Sequence, residues 1–154
     1  MRLRSFTGSV VTVVMLAARA AHAGTGVELG ALLDLGNESS LSLVGVRSGP
    51  VRSGHPGLEF AFSASFTSPV ALLADLDLAV PFGPEEGPTF LARGGVSGLT
   101  GSLIGVAGFN VGVGIIQPLR PGLGLRGDVI RRFYQSEGDS FGITALTLGL
   151  VWGH

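Results

Sequence analysis

Leu58-Glu59-Phe60-Ala61-Phe62-Ser63-Ala64-Ser65-Phe66 places Leu58, Phe60, Phe62, Ala64 and Phe66 on alternate positions, with Glu59, Ala61, Ser63 and Ser65 between them. A period of two is the signature of a strand whose two faces meet different surroundings. The next segment repeats it: Val70, Leu72, Ala74, Leu76, Leu78 and Val80 alternate with Ala71, Leu73, Asp75, Asp77 and Ala79. Leu and Ala would tolerate a helix here, but a helix would send Asp75 and Asp77 to different sides. A strand puts both on one face.

Working outward, Val27, Leu29, Ala31 and Leu33 alternate with Glu28, Gly30, Leu32 and Asp34, and Leu41 to Arg47 forms a weaker strand. Phe90, Ala92, Gly94 and Val96 alternate with Leu91, Arg93, Gly95 and Ser97. In Val106 to Ile116, Phe109, Val111, Val113 and Ile115 oppose Gly108, Asn110, Gly112 and Gly114. In Leu123 to Arg132, Leu123, Leu125 and Val129 oppose Arg126, Asp128 and Arg132. The end sets Leu146, Leu148, Leu150 and Trp152 against Ala145, Thr147, Gly149 and Val151. Eight strands separated by turn residues predict a meander of hairpins.

Composition narrows the class. Of 154 residues, 45 % are hydrophobic, 14 % are charged and 26 are glycine. That glycine content opposes long helices, since each costs about 1 kcal/mol against alanine in a helix interior. Too little charge is present to cover an ordinary soluble globule. The absence of cysteine excludes disulfides, a thiol nucleophile and Cys-ligated metals.

The N-terminus reads as a secretory signal. Arg2 and Arg4 precede a largely apolar Phe6–Ala18 run, and Ala21-His22-Ala23 supplies the small-x-small pattern of a cleavage site; Ala18-Arg19-Ala20 offers a second one. The apolar run is shorter than the roughly 20 residues of a spanning helix. The expected division is therefore a signal peptide at 1–23 and a β-barrel at 24–154. Removing Arg2, Arg4 and Arg19 leaves seven arginines against 11 acidic residues, so no nucleic-acid partner is expected.

An antiparallel meander with one oily face must close or be covered. Two eight-stranded barrels compete. A secreted lipocalin-like barrel points the oily face inward, where it binds a small apolar ligand; a transmembrane barrel points it at lipid and fills the lumen with polar or tiny residues. The non-oily face is mainly Ala, Ser and Gly with a few charges, which suits a narrow interior better than a solvated exterior. The expected fold is an all-β, antiparallel up-and-down eight-stranded transmembrane barrel.

The run from Phe109 to Tyr134 resembles the penultimate hairpin of small bacterial outer-membrane β-barrels of the OmpA-type superfamily. The terminus Gly149-Leu-Val-Trp152-Gly-His154 resembles that family's assembly signal, with His154 standing where phenylalanine is usual. The resemblance implies bacterial outer-membrane location, lipid contact, engagement of the barrel-assembly machinery by Gly149, Trp152 and His154, and periplasmic termini. Outer loops are then expected near 35–40, 67–69, 98–105 and 134–140, and periplasmic connections at 48–57, 81–88 and 118–121. Phe66, Phe133, Tyr134 and Phe141 fall at the outer end and Phe82, Phe90 and Trp152 at the inner end, as aromatic girdles would; Phe60 and Phe62 do not fit.

A rival reading is a spanning helix over Gly94–Leu119, which is uncharged and has small-xxx-small spacings, but its glycines and the alternation from Gly108 to Ile116 oppose it. Chemistry-bearing groups are scarce. Histidine occurs only at His22, His55 and His154, so no strand-borne His can serve a Ser as base, and the deacylase, acyltransferase and omptin-like activities of outer-membrane enzymes are not implied. No enzyme activity, cofactor or metal is expected. The Gly122–Gly127 match to a dinucleotide fingerprint lacks a βαβ setting, and Asn37-Glu38-Ser39 reads more simply as a turn than as a sequon. The remaining candidates are the charges Glu28, Glu59, Asp75, Asp77, Arg93, Arg126, Asp128 and Arg132, expected to share the lumen as a salt-bridged plug rather than an open polar path. The expected role is structural, surface-contact or adhesion-type, with the surface partner unspecified.

Overall fold

The computed structural model describes residues 24–33, 40–65, 70–84, 86–101, 105–136 and 138–153. Residues 1–23, the Asn37–Ser39 turn, the 67–69 loop, Phe66 and His154 lie outside them. Eight strands follow in chain order: β1 (Gly24–Leu33), β2 (Ser40–Gly49), β3 (Gly57–Ser65), β4 (Leu72–Phe82), β5 (Thr89–Thr100), β6 (Gly105–Arg120), β7 (Leu123–Ser136) and β8 (Asp139–Trp152). Each pairs antiparallel with the next, and β1 pairs with β8, closing the barrel with no edge. In place of a spanning helix, residues 94–100 and 105–119 belong to β5 and β6, in which Gly95 faces Asn110 and Gly98 faces Ala107.

The alternation read from sequence becomes a difference between outside and inside. Leu29, Leu58, Phe60, Leu78, Val96, Phe109, Val113 and Leu148 are exposed on the outer surface, whereas Glu59, Asp77 and Arg132, on the opposite parity, are at most 1 % exposed. An oily exterior around charged, fully buried side chains is the inverse of a lipocalin.

Several expected boundaries move. The 98–105 loop contracts, because Gly98, Leu99 and Thr100 stay in the ladder opposite Ala74, Leu73 and Leu72. The 134–140 loop contracts as well: Gln135 pairs with Ser140 and Ser136 with Asp139. Polar residues there suggested a loop, yet their backbones complete the longest hairpin. At 118–121, β6 runs on to Arg120 through an irregularity between Pro118 and Arg120, so the proline, which has no N–H for the ladder, sits at a bulge. Gly122, with φ +75°, makes the turn into β7.

The lumen carries more apolar bulk than the Ala/Ser/Gly reading implied. Leu43, Leu73 and Ala145, with Leu99 and Ile143, pack together toward the β7–β8 hairpin end. Val51, Leu91, Ile116 and Val151 pack together at the opposite end, near the β6–β7 turn. Between these two apolar plugs lie the charges.

Candidate functional site: the polar lumen

Six charges from five strands form the larger cluster: Glu28 on β1, Arg47 on β2, Glu59 on β3, Arg93 on β5, and Arg126 and Asp128 on β7. Arg47 Nε and Nη2 donate to the two Glu28 carboxylate oxygens at 3.0 and 3.1 Å, while its Nη1 donates to Glu59 Oε1 at 2.8 Å. Arg93 bridges Glu59, through Nη1 to Oε1 at 2.7 Å, and Asp128, through Nη2. Arg126 completes the ring, its Nε 2.9 Å from Asp128 Oδ2 and its Nη2 2.7 Å from Glu59 Oε2. Thr147 on β8 reaches both Glu28 and Asp128, at 3.3 and 3.5 Å. Three acids face three arginines, so the group is neutral as a whole. Neutrality makes burial tolerable, because an unpaired charge there would cost several kcal/mol (about 3–5) while a paired one is close to balanced.

The second cluster lies nearer the β7–β8 hairpin. Arg132 donates from Nε and Nη2 to the two Asp75 oxygens, at 3.1 and 2.5 Å, and Ser97 Oγ donates to the same carboxylate. Asp77 is held differently. Its Oδ1 accepts the Asn110 side-chain amide at 2.8 Å, and among the described residues no arginine forms an ion pair with it. Among the described residues, neither its Oδ2 nor Asn110 Oδ1 finds a hydrogen-bond donor. Here two acids face one arginine.

Glycines make room for these side chains. Gly114 lies opposite Asp128, where a Cβ would collide with that carboxylate and meet Arg93 Nη2 at 3.0 Å. Gly95 lies opposite Asp77, and a Cβ would meet its Oδ1 at 2.6 Å.

All eight expected lumen charges face inward and are buried. They divide between the two clusters, which also include two members that sequence reading left out. Arg47 was hidden because β2 has apolar residues at Leu41, Leu43, Val44 and Val46, on both parities. Asn110 was on the correct face but carries no charge to mark it. Tyr134, expected in the outer aromatic girdle, is instead buried in the lumen at 2 % exposure, since it shares the parity of Arg132. Outward aromatics do pair at both ends: Phe82 stacks on Phe90 with centroids 5.8 Å apart, and Phe109 on Phe133 at 4.9 Å. Of the expected assembly residues, Trp152 is outward beside Thr25 and Leu123, while Gly149 faces inward between Glu28 and Arg126. A Cβ at Gly149 would meet Glu28 Cα at 2.8 Å, so glycine there lets the last strand meet the first.

A closed eight-stranded antiparallel sheet with apolar residues out and charges in has solved counterparts. The N-terminal β-barrel domain of Pseudomonas aeruginosa OprF matches with TM-score 0.62 and 14 % identity over 84 % of this chain and 97 % of that one. The chain has the fold of the small outer-membrane β-barrels. Neisserial surface protein A matches with TM-score 0.61 and 10 % identity, covering 86 % of this chain and 96 % of its own. Ail, the attachment invasion locus protein of Yersinia pestis, matches at 0.52 and 11 % over 84 % of this chain and 95 % of that one. No protein-family model and no curated protein sequence matches the chain. The likeness therefore rests on shape.

Proposed function

We infer that this chain is a small bacterial outer-membrane barrel without enzymatic activity, directed through the envelope by a cleaved signal at 1–23. Gly149, Trp152 and His154 would present its last strand to the barrel-assembly machinery. The observation that carries the reading is the outward surface: the strands expose Val, Leu, Ile and Phe on most outward positions, with small residues between them, a surface that hydrocarbon stabilises and water does not. A soluble apolar-ligand barrel would need the reverse arrangement. The test is fractionation of cells expressing the full chain. The protein should stay in the membrane pellet through alkaline extraction and run faster on a gel unheated than boiled; a freely soluble mature protein would overturn the reading.

The lumen is read as a plug. Two apolar clusters close its ends and ten buried polar and charged side chains fill its middle, the eight expected charges with Arg47 and Asn110. An eight-stranded barrel has only enough interior for such side chains. Refolded protein in a planar bilayer should give no steady, large conductance, and such a conductance would overturn the plug. With the lumen filled, the role this reading supports is structural or surface contact. Ail, a barrel of the same fold, is by name an attachment invasion protein, which supports an adhesion-type role of that kind.

A further inference from the structure

Among the described strand residues, and setting aside Arg120 and Asp139 at the hairpin turns, the outward face of the barrel carries one charged side chain, Arg131 on β7. Its neighbours across the ladder are Val111 and Thr144, and those along its own strand are Val129 and Phe133. An outward arginine at mid-membrane costs about 2–4 kcal/mol, falling to about 0–1 near the interface. Its position relieves much of this. It lies eight positions along β7 from Leu123, which pairs with Trp152 at the inner end. At about 3.3 Å per residue and a tilt near 40°, that is roughly 20 Å up an apolar band about 25 Å tall.

The side chain then leans further the same way. Nη1 donates to Thr144 Oγ1 at 2.9 Å, and the guanidinium carbon stands 5.6 Å from the centroid of Phe133, which is two residues nearer the β7–β8 hairpin. The group lies flat over Gly142, where a Cβ would meet Nη2 at 2.5 Å, Cζ at 2.9 Å and Nε at 3.0 Å. Gly142 thus provides the bed in which the cation lies. A shallow groove of about 450 Å³ opens beside it, lined on the outer face by Phe109, Phe133 and Gln135 and reached from the lumen side of the hairpin by Tyr134 and Phe141. Among the described residues no carboxylate pairs with Arg131, in contrast to the buried arginines.

We propose that Arg131, bedded on Gly142 and flanked by Phe109 and Phe133, binds the phosphate group of an anionic lipid headgroup in the leaflet that the β7–β8 hairpin reaches. The planar guanidinium can give two parallel N–H donors to phosphate oxygens, and the aromatic groove takes the upper acyl chain. The site rests on the membrane reading above.

The test uses the full mature chain refolded into phosphatidylcholine vesicles with and without phosphatidic acid, reading the temperature at which the unheated gel mobility is lost. Phosphatidic acid should raise that temperature for the native protein, and its apparent affinity should fall about tenfold in Arg131→Gln, the loss of one charge-assisted contact. Arg131→Lys should keep part of the effect, and Gly142→Ala should weaken it by displacing the guanidinium. Inorganic phosphate added to phosphatidylcholine vesicles should give no shift. An equal response in Arg131→Gln, or a full response to free phosphate, would overturn the lipid site while leaving the barrel in the membrane. Failure of the native chain to enter either vesicle would overturn the membrane reading and the site together.

Discussion

The two lumen clusters are built from the same side-chain chemistry and differ in charge balance. Around Glu59, three carboxylates and three guanidiniums interlock, and every acid touches at least one arginine. Around Asp75 and Asp77, one guanidinium faces two carboxylates; Asp75 takes its Nε and Nη2, and Asp77 is left to a neutral amide. A buried ion pair contributes little net stability compared with apolar packing, but removing one partner strands the other. The balanced cluster should therefore be brittle to any single change. The unbalanced one should have a member whose charge the fold does better without.

Substitutions can break that contrast. The largest effect is expected for Arg93→Met, which strips a cation from both Glu59 and Asp128; the barrel should lose about 3–5 kcal/mol in urea unfolding from vesicles, and a loss near zero would mean that the ring is not a unit. Gly114→Val pushes side-chain atoms into the Arg93–Asp128 contact and should cost a comparable amount, with a lowered temperature for loss of the fast gel band. Arg132→Gln should cost less, about 2–3 kcal/mol, because Ser97 still donates to Asp75. Smallest of all, Asp77→Asn should leave stability within about 1 kcal/mol of the native protein or raise it, since the amide is isosteric and removes the one carboxylate of the two clusters that lacks an ion pair. If Asp77→Asn proved as damaging as Arg93→Met, the distinction between the clusters would collapse.

Much of this was legible in the chain because facing is a local property. Glu59 between Phe60 and Leu58, or Asp128 one residue from Val129, declares its side of the sheet within a few residues. Arg47 escaped because parity is readable only when one face is uniformly polar, and β2 mixes Leu43 with Gly45 and Arg47 on the inner side. The apolar plugs escaped differently: Leu73, Leu91 and Val151 fall on the inner parity in the sequence, but that face is mostly Ala, Ser, Gly and charge, and only the assembled barrel shows which of its large residues meet. Which arginine meets which acid was beyond local reading altogether. The Arg132–Asp75 pair joins positions 57 apart, and that meeting depends on the stagger accumulated across the intervening strands. Strand ends were misjudged where serine, glutamine and proline looked like loop, as at Gln135–Ser140, because hairpins that stand clear of the hydrocarbon have no need of apolar residues.

The ring around Glu59 also constrains the order in which the chain can assemble. Only Arg126–Asp128 is satisfied within one strand; Arg47 needs Glu28 from β1 and Glu59 from β3, and Thr147 bonds Glu28 across 119 residues of sequence. A partly inserted sheet of β1 to β4 would carry Asp75 without Arg132, and one of β5 to β8 would carry Arg132 without Asp75, in neither case with water to replace the partner. Such intermediates are penalised at each step, while contacts this distant form late. Insertion and closure should therefore proceed as one concerted event, with the first and last strands meeting at the same stage as the charges, and with few half-barrels surviving for proteases to find.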